Sequence, residues 1–68
     1  MHETKSSLTP REREVAALVA EGLSNAEIAE RLMLTPGTVA THIEVILRQL
    51  GLKSRVQMAV WTIEQGLP

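Results

Sequence analysis

The stretch SNAEIAERLMLTPGTVATHI, residues 24–43, carries two helix-start signals with room for only a tight turn between them. Ser24 followed three residues on by Glu27 fits a capping box, in which each side chain satisfies the other residue's orphan backbone N–H. Ile28, Ala29 and Leu32 then recur at helical spacing and stop. Thr35-Pro36 opens a second helix, with a hydroxyl at the cap and a proline at the first position, where no N–H is needed. Two helices joined by so few residues must cross steeply. That is the helix-turn-helix geometry, which presents its second helix to DNA.

The remaining helices follow from the same signals. Thr9-Pro10-Arg11-Glu12 is another capping box with proline at the first position, and Leu8 before it is placed to staple onto the first turn. Val15, Ala16, Leu18, Val19 and Ala20 form the inward stripe of this first helix, and Gly22 is its left-handed stop. The second helix spans about 25–32. The third runs from Pro36 to Leu50, with Val39, Ile43, Ile46, Leu47 and Leu50 inward, and stops at Gly51. Ser54-Arg55-Val56-Gln57 repeats the capping-box pattern and opens a fourth helix, which ends at Gly66. There the spacing predicts Val56, Ala59, Val60 and Ile63 inward, leaving Met58 and Trp61 as an exposed patch. No strand-like alternation occurs. The fold class is therefore all-α: a four-helix bundle containing a helix-turn-helix at about 24–44, with a domain over 8–67 and a flexible polar tail over 1–7.

Composition narrows the function. Sixty-eight residues allow one small domain, and the absence of cysteine removes disulfides and thiolate metal sites. His2 and His42 are far apart, so no metal site is expected. The single aromatic residue, Trp61, leaves the core to aliphatic side chains. No apolar run reaches the ~20 residues a membrane helix needs, and MHETKSS lacks the apolar segment of a secretory signal. A cytoplasmic address, at the nucleoid when bound to DNA, is the expectation. No nucleophile–base pair, phosphate-binding glycine loop or small-molecule site can be assembled, so no catalytic residue and no cofactor are expected.

The formal net charge of −1 runs against a nucleic-acid partner, because phosphate neutralisation supplies much of such affinity. Its distribution runs the other way. Arg48, Lys53 and Arg55 against Glu44 leave residues 36–56 at +2, while the six glutamates and four basic residues of 1–35 leave that half at −2.

Leu8-Thr9-Pro10-Arg11-Glu12-Arg13-Glu14-Val15, Glu21-Gly22-Leu23-Ser24-Asn25, Glu27-Ile28-Ala29, Gly37-Thr38-Val39, Thr41-His42-Ile43, Leu50-Gly51 and Arg55 together resemble the LuxR-type helix-turn-helix domain. The resemblance covers roughly 8–66. It implies a four-helix DNA-binding domain of a bacterial transcription regulator, commonly the output end of a response regulator or of a chain with a ligand-sensing domain. It also implies a third helix in the major groove and a fourth helix making a dimer contact. This chain departs from the family where Ala40 stands in place of a usual Lys, at Glu44 and Val45, and at Gln49 in place of a common Lys or Arg.

The helical period leaves Gly37, Ala40, Thr41, Glu44, Val45 and Arg48 outward on the third helix. Ala40, Val45 and the Thr41 methyl suit thymine methyls, the Thr41 hydroxyl suits several bases, and Glu44 suits cytosine N4. Arg48, Lys53 and Arg55, with Thr38, Ser24 and Asn25, are the candidate phosphate partners, and the N-termini of the second and third helices add backbone N–H groups. Arg55, in the first turn of the fourth helix, is expected to brace the preceding loop. His42 reads as a boundary residue and Arg11–Glu14 as a solvated face. Met58, Trp61 and Gln65 are the candidate dimer contacts. The expected partners are double-stranded DNA and a second copy of the chain, with RNA polymerase a further candidate. The alternative is a helix-turn-helix bundle kept for protein association, with little DNA binding.

Overall fold

A computed structural model describes residues 8–66 as four α-helices: α1 Pro10–Ala20, α2 Asn25–Leu32, α3 Pro36–Leu50 and α4 Arg55–Gln65. There is no strand among the described residues. The polar tail expected at 1–7 lies outside them, as do residues 67 and 68.

Each helix begins where a hydroxyl side chain meets orphan N–H groups. Thr9, Ser24, Thr35 and Ser54 each accept from the backbone N–H three residues on. The boxes at Thr9/Glu12 and Ser24/Glu27 are reciprocal, with Thr9 N donating to Glu12 Oε1 at 3.0 Å and Ser24 N to Glu27 Oε1 at 2.8 Å. Glu12 is therefore buried, at 8% exposure, and is not part of a solvated charge face. The third box closes differently. Gln57 Oε1 accepts from Lys53 N at 2.7 Å, one residue outside the cap, and so fastens the α3–α4 connection.

The core is a single cluster from all four helices: Leu8, Val15, Ala16, Leu18 and Val19, then Ile28 and Ala29, Val39, Ile43 and Ile46, and Met58. The α1–α4 contact is the most extensive, followed by α2–α3 and α1–α3, while α3 and α4 touch little. The inward stripes read from the sequence are observed at Val15, Ala16, Leu18 and Val19 of α1 and at Val39, Ile43 and Ile46 of α3, with Leu47 and Leu50 half-buried against the core and Ala20 half-buried outside it.

The α4 stripe is not, apart from Ala59, which is half-buried against the core. Met58 is fully buried and Thr62 is 1% exposed, whereas Val56, Val60 and Ile63 are 70%, 48% and 66% exposed. Met58 is therefore excluded as a surface contact, and Trp61 is half-buried against the core. The helix is apolar on two sides, and packing on α1 selects the side carrying Met58 and Thr62. Thr62 suits that side because its Oγ1 donates to Met58 O at 2.8 Å, satisfying the hydroxyl within its own helix. Gln65 is exposed but falls on the flank away from Val56, Val60 and Ile63.

The turn between α2 and α3 is only three residues long, and its direction is set by Met33, at φ 60° and ψ 45°. Leu34 N then reaches back to Ala29 O at 2.8 Å, the signature of a left-handed helix stop. Arg11 Nη1 donates to Leu32 O at 3.3 Å and ties this turn to α1. Glycine fills the equivalent positions after α1 and α3, at Gly22 and Gly51. Met33 is the one non-glycine residue with positive φ among the described residues, and its side chain is 91% exposed.

Two outcomes follow for stability. Met33→Gly is expected to stabilise the fold by roughly 0.5–1 kcal/mol, relief of the left-handed penalty exceeding glycine's entropy cost. Thermal unfolding should then shift upward by several degrees. Met58→Ala is expected to cost about 2–5 kcal/mol, whereas Ile63→Ala stays within roughly 0.5 kcal/mol. Urea denaturation of the two variants side by side checks which face of α4 is inside.

Candidate nucleic-acid interface

The sequence-predicted reading face is assembled on α3. Gly37, Ala40, Thr41, Glu44 and Arg48 are exposed and Val45 is half-buried, while Val39, Ile43 and Ile46 on the opposite side lie in the core. At 100° per residue, Gly37, Thr41, Glu44 and Arg48 fall within about 60° of one another, forming a single strip along the outer surface. Ala40 and Val45 flank it. Neither α2 nor α4 covers this line; His42 is half-buried and lies about 100° around the helix from Thr41, at the border of the core side.

Hydrogen bonds restrict what these groups can do. Thr41 Oγ1 donates to Gly37 O at 3.1 Å, so its proton is committed and its lone pairs face outward. Thr35 Oγ1 accepts from Thr38 N at 3.1 Å and shares a hydrogen bond of 2.9 Å with the Thr38 hydroxyl, which orders the first turn of α3. Ser24 Oγ accepts from Glu27 N at 3.2 Å and keeps its own O–H for an external acceptor.

Asn25 is engaged, which the sequence did not foretell. Its Oδ1 accepts from Arg55 Nη1 at 2.6 Å, and Arg55 Nη2 donates to Leu23 O at 2.7 Å. Only the Asn25 amide N–H groups remain for a partner. Arg55 does brace a loop, but the α1–α2 connection some 30 residues away rather than the one that precedes it. A planar fork of donors can hold a carbonyl and an amide oxygen at once, a task a lysine's point charge performs poorly. Lys53 is exposed and its side chain is left to solvent; only its backbone N–H is used, by Gln57.

The surface between α1 and α2 has the wrong sign for phosphate. An open depression of about 600 Å³ is lined by Glu21, Gly22, Leu23, Glu27, Glu30 and Arg31. No group of His, Cys, Asp or Glu side chains among the described residues is placed to hold a metal ion. The apolar stripe Val56, Val60 and Ile63 is the surface feature that sequence reasoning missed. The signal was present in the two-sided apolar pattern of α4, but only the packing of α4 on α1 decides which side is free.

Comparison with known proteins places this geometry. The GerE model, bacterial regulatory proteins of the luxR family, matches residues 6–62. The HTH-type transcriptional regulator Mb0914c of Mycobacterium bovis is 52% identical over 62 residues, 91% of this chain and 7% of that protein. The nitrate/nitrite response regulator NarL of Escherichia coli K12 is 47% identical over 62 residues, 91% of this chain and 29% of NarL. The transcriptional regulatory protein LiaR of Bacillus subtilis is 51% identical over 55 residues, 81% of this chain and 26% of LiaR. The chain thus spans less than a third of the length of each of these relatives.

Arg55→Ala is expected to destabilise the fold by about 2 kcal/mol, the scale of charge-assisted hydrogen bonds lost at a partly buried site. Arg55→Lys should recover less than half of it. Urea unfolding gives the magnitudes, and amide hydrogen exchange should speed up at residues 23–28 before it does in α3.

Proposed function

This chain belongs to the luxR family of bacterial regulatory proteins, and from that membership we propose that it is a sequence-specific, double-stranded DNA-binding domain of a transcription regulator. In this reading residues 8–67 form the output domain of a longer regulator. Helix α3 lies in the major groove, with Ala40, Thr41, Glu44 and Val45 toward base edges. Arg48, Lys53, Thr38, Ser24 and the Asn25 amide meet phosphates, assisted by the N-termini of α2 and α3. The family is one of regulatory proteins, and the reading assigns this domain no catalysis and no cofactor.

The observation that carries the proposal is the exposed outer line of α3, held clear of the bundle by the tight turn after α2. The weak basic charge bears on how binding is achieved. With Arg55 committed to Leu23 and Asn25, a single domain has few cations for phosphate, so one copy binds weakly. A homodimer joins two such contacts and multiplies their affinity. Its seam is the exposed stripe of Val56, Val60 and Ile63, in place of Met58, Trp61 and Gln65. RNA polymerase is a further partner in this reading. The described helices include none long and apolar enough to cross a membrane, and the proposed setting is the cytoplasm, at the nucleoid.

Titration of palindromic and single-half-site duplexes at several salt concentrations tests this. Binding should weaken steeply with salt, and Lys53→Ala should lower the slope of log affinity against log salt by about 1. Ile63→Glu should weaken palindrome binding while leaving the half-site affinity and the fold unchanged. Absence of binding to either duplex at low salt would favour the alternative, a bundle kept for protein association.

A further inference from the structure

Resting on the DNA-binding reading above, we propose that Thr41 and Glu44 make α3 a reader of exocyclic amino groups, with Glu44 selecting cytosine at one position of each half-site. Thr41 has given its only proton to Gly37 O, at 3.1 Å, so toward the groove it offers lone pairs and a methyl group. Glu44, one turn further along the same line, is an ionised acceptor with no proton to give. Ala40 and Val45 beside them carry no polar side-chain atom. Along the outer line and its two flanks, the first two turns of α3 therefore present acceptors and methyl groups, and no side-chain donor.

Base edges in the major groove answer such a surface selectively. Cytosine N4 and adenine N6 are the amino donors there, and thymine offers a methyl; guanine shows only N7 and O6, both acceptors. A guanine facing Glu44 would set two acceptors and a negative charge against each other. Cytosine satisfies the carboxylate without also presenting an acceptor to it. Thr41 and Glu44 are three residues apart, about 4.5 Å along the helix, a little more than one base-pair step, so they meet neighbouring base pairs.

Among the described residues, Glu44 also has no side-chain partner. Arg48 lies four residues on, at ion-pair spacing, yet the ion pair found among the described residues is Arg11–Glu14 on α1, at 3.3 Å. Glu44 forms none with another described residue, and in this reading the Arg48 side chain is left for a phosphate. A carboxylate carried into a groove between phosphates binds poorly unless an amino group meets it. Each mismatched sequence is then penalised by an unpaired charge, so Glu44 acts as a filter as well as a contact.

Selection of bound duplexes from a library with a randomised 20-base-pair core, at low salt, tests the proposal on the chain, Glu44→Gln and Thr41→Val. The chain should enrich a motif with cytosine at one column of each half-site and an amino-bearing base next to it. Glu44→Gln should exchange that cytosine for adenine, which glutamine meets through N6 and N7, with the other columns unchanged. Thr41→Val should relax the neighbouring column alone. In the enriched duplex, replacing the cytosine by 2-pyrimidinone removes only its amino group and should weaken binding roughly 5- to 150-fold. The same replacement should have little effect on Glu44→Ala.

Two results overturn the inference while leaving DNA binding intact. One is the same motif for the chain and Glu44→Gln; the other is a tightening by Glu44→Gln that is equal on all sequences, which would make Glu44 a repulsive charge only. Failure of the chain and of every variant to enrich any duplex overturns the DNA-binding reading itself, and this inference with it.

Discussion

Met33 sets the constraint on which the helix-turn-helix depends. In three residues the chain must leave α2, reverse, and start α3, and a left-handed residue at the end of α2 does this in the least length. Once the turn is fixed, the apolar sides of α2 and α3, with Ile28, Ala29, Val39 and Ile43, meet in the core. The remaining side of α3 then has nowhere to go but outward. The Arg11 bond to Leu32 O holds the same turn from the side of α1. The exposed line Gly37–Thr41–Glu44–Arg48 is thus a consequence of where α2 stops, and needs no contact of its own to be presented.

What could be read in the sequence was whatever has a local cause. Thr9, Ser24, Thr35 and Ser54 each announce a helix start through chemistry completed within three residues, and all four helices begin there. The phase of α3 was legible because its apolar residues lie on one side. The phase of α4 was not, because Val56, Val60 and Ile63 form one apolar side while Met58, Thr62 and the half-buried Trp61 form another. Choosing between them needs the surface of α1, which no window on α4 contains. Met33 gave no warning either, since methionine has none of the left-handed tolerance that marks Gly22 or Gly51. Arg55 was legible as structural, but its partners Leu23 and Asn25 are a long-range fact.

The electrostatics of the site follow from that division of labour. Three cations fall between residues 36 and 56, yet Arg55 is spent inside the fold and Glu44 sits on the outer line itself. What remains for phosphate is Arg48, Lys53, a few hydroxyl and amide donors, and the N-termini of two helices. An interface of this kind has little sequence-independent attraction to offer. In the proposed reading, discrimination rests more heavily on base-edge complementarity, and affinity on the doubling of sites that the proposed second copy would supply.

The position of Arg55 joins those two requirements mechanically. It is the first residue of α4, the helix whose apolar stripe is the proposed dimer seam, and its guanidinium holds both Leu23 and Asn25 at the start of α2. From the seam to the reading line, the path runs through α4, the Arg55 fork, α2, the Met33 turn and α3. Every link is a helix, a pair of short hydrogen bonds or a three-residue turn, and none is a long loop. In a dimer built on that path, the two copies of α3 have little freedom to adjust their separation. The spacing between half-sites is then set by the stiffness of the fold, and Arg55 is the joint at which a single substitution loosens it.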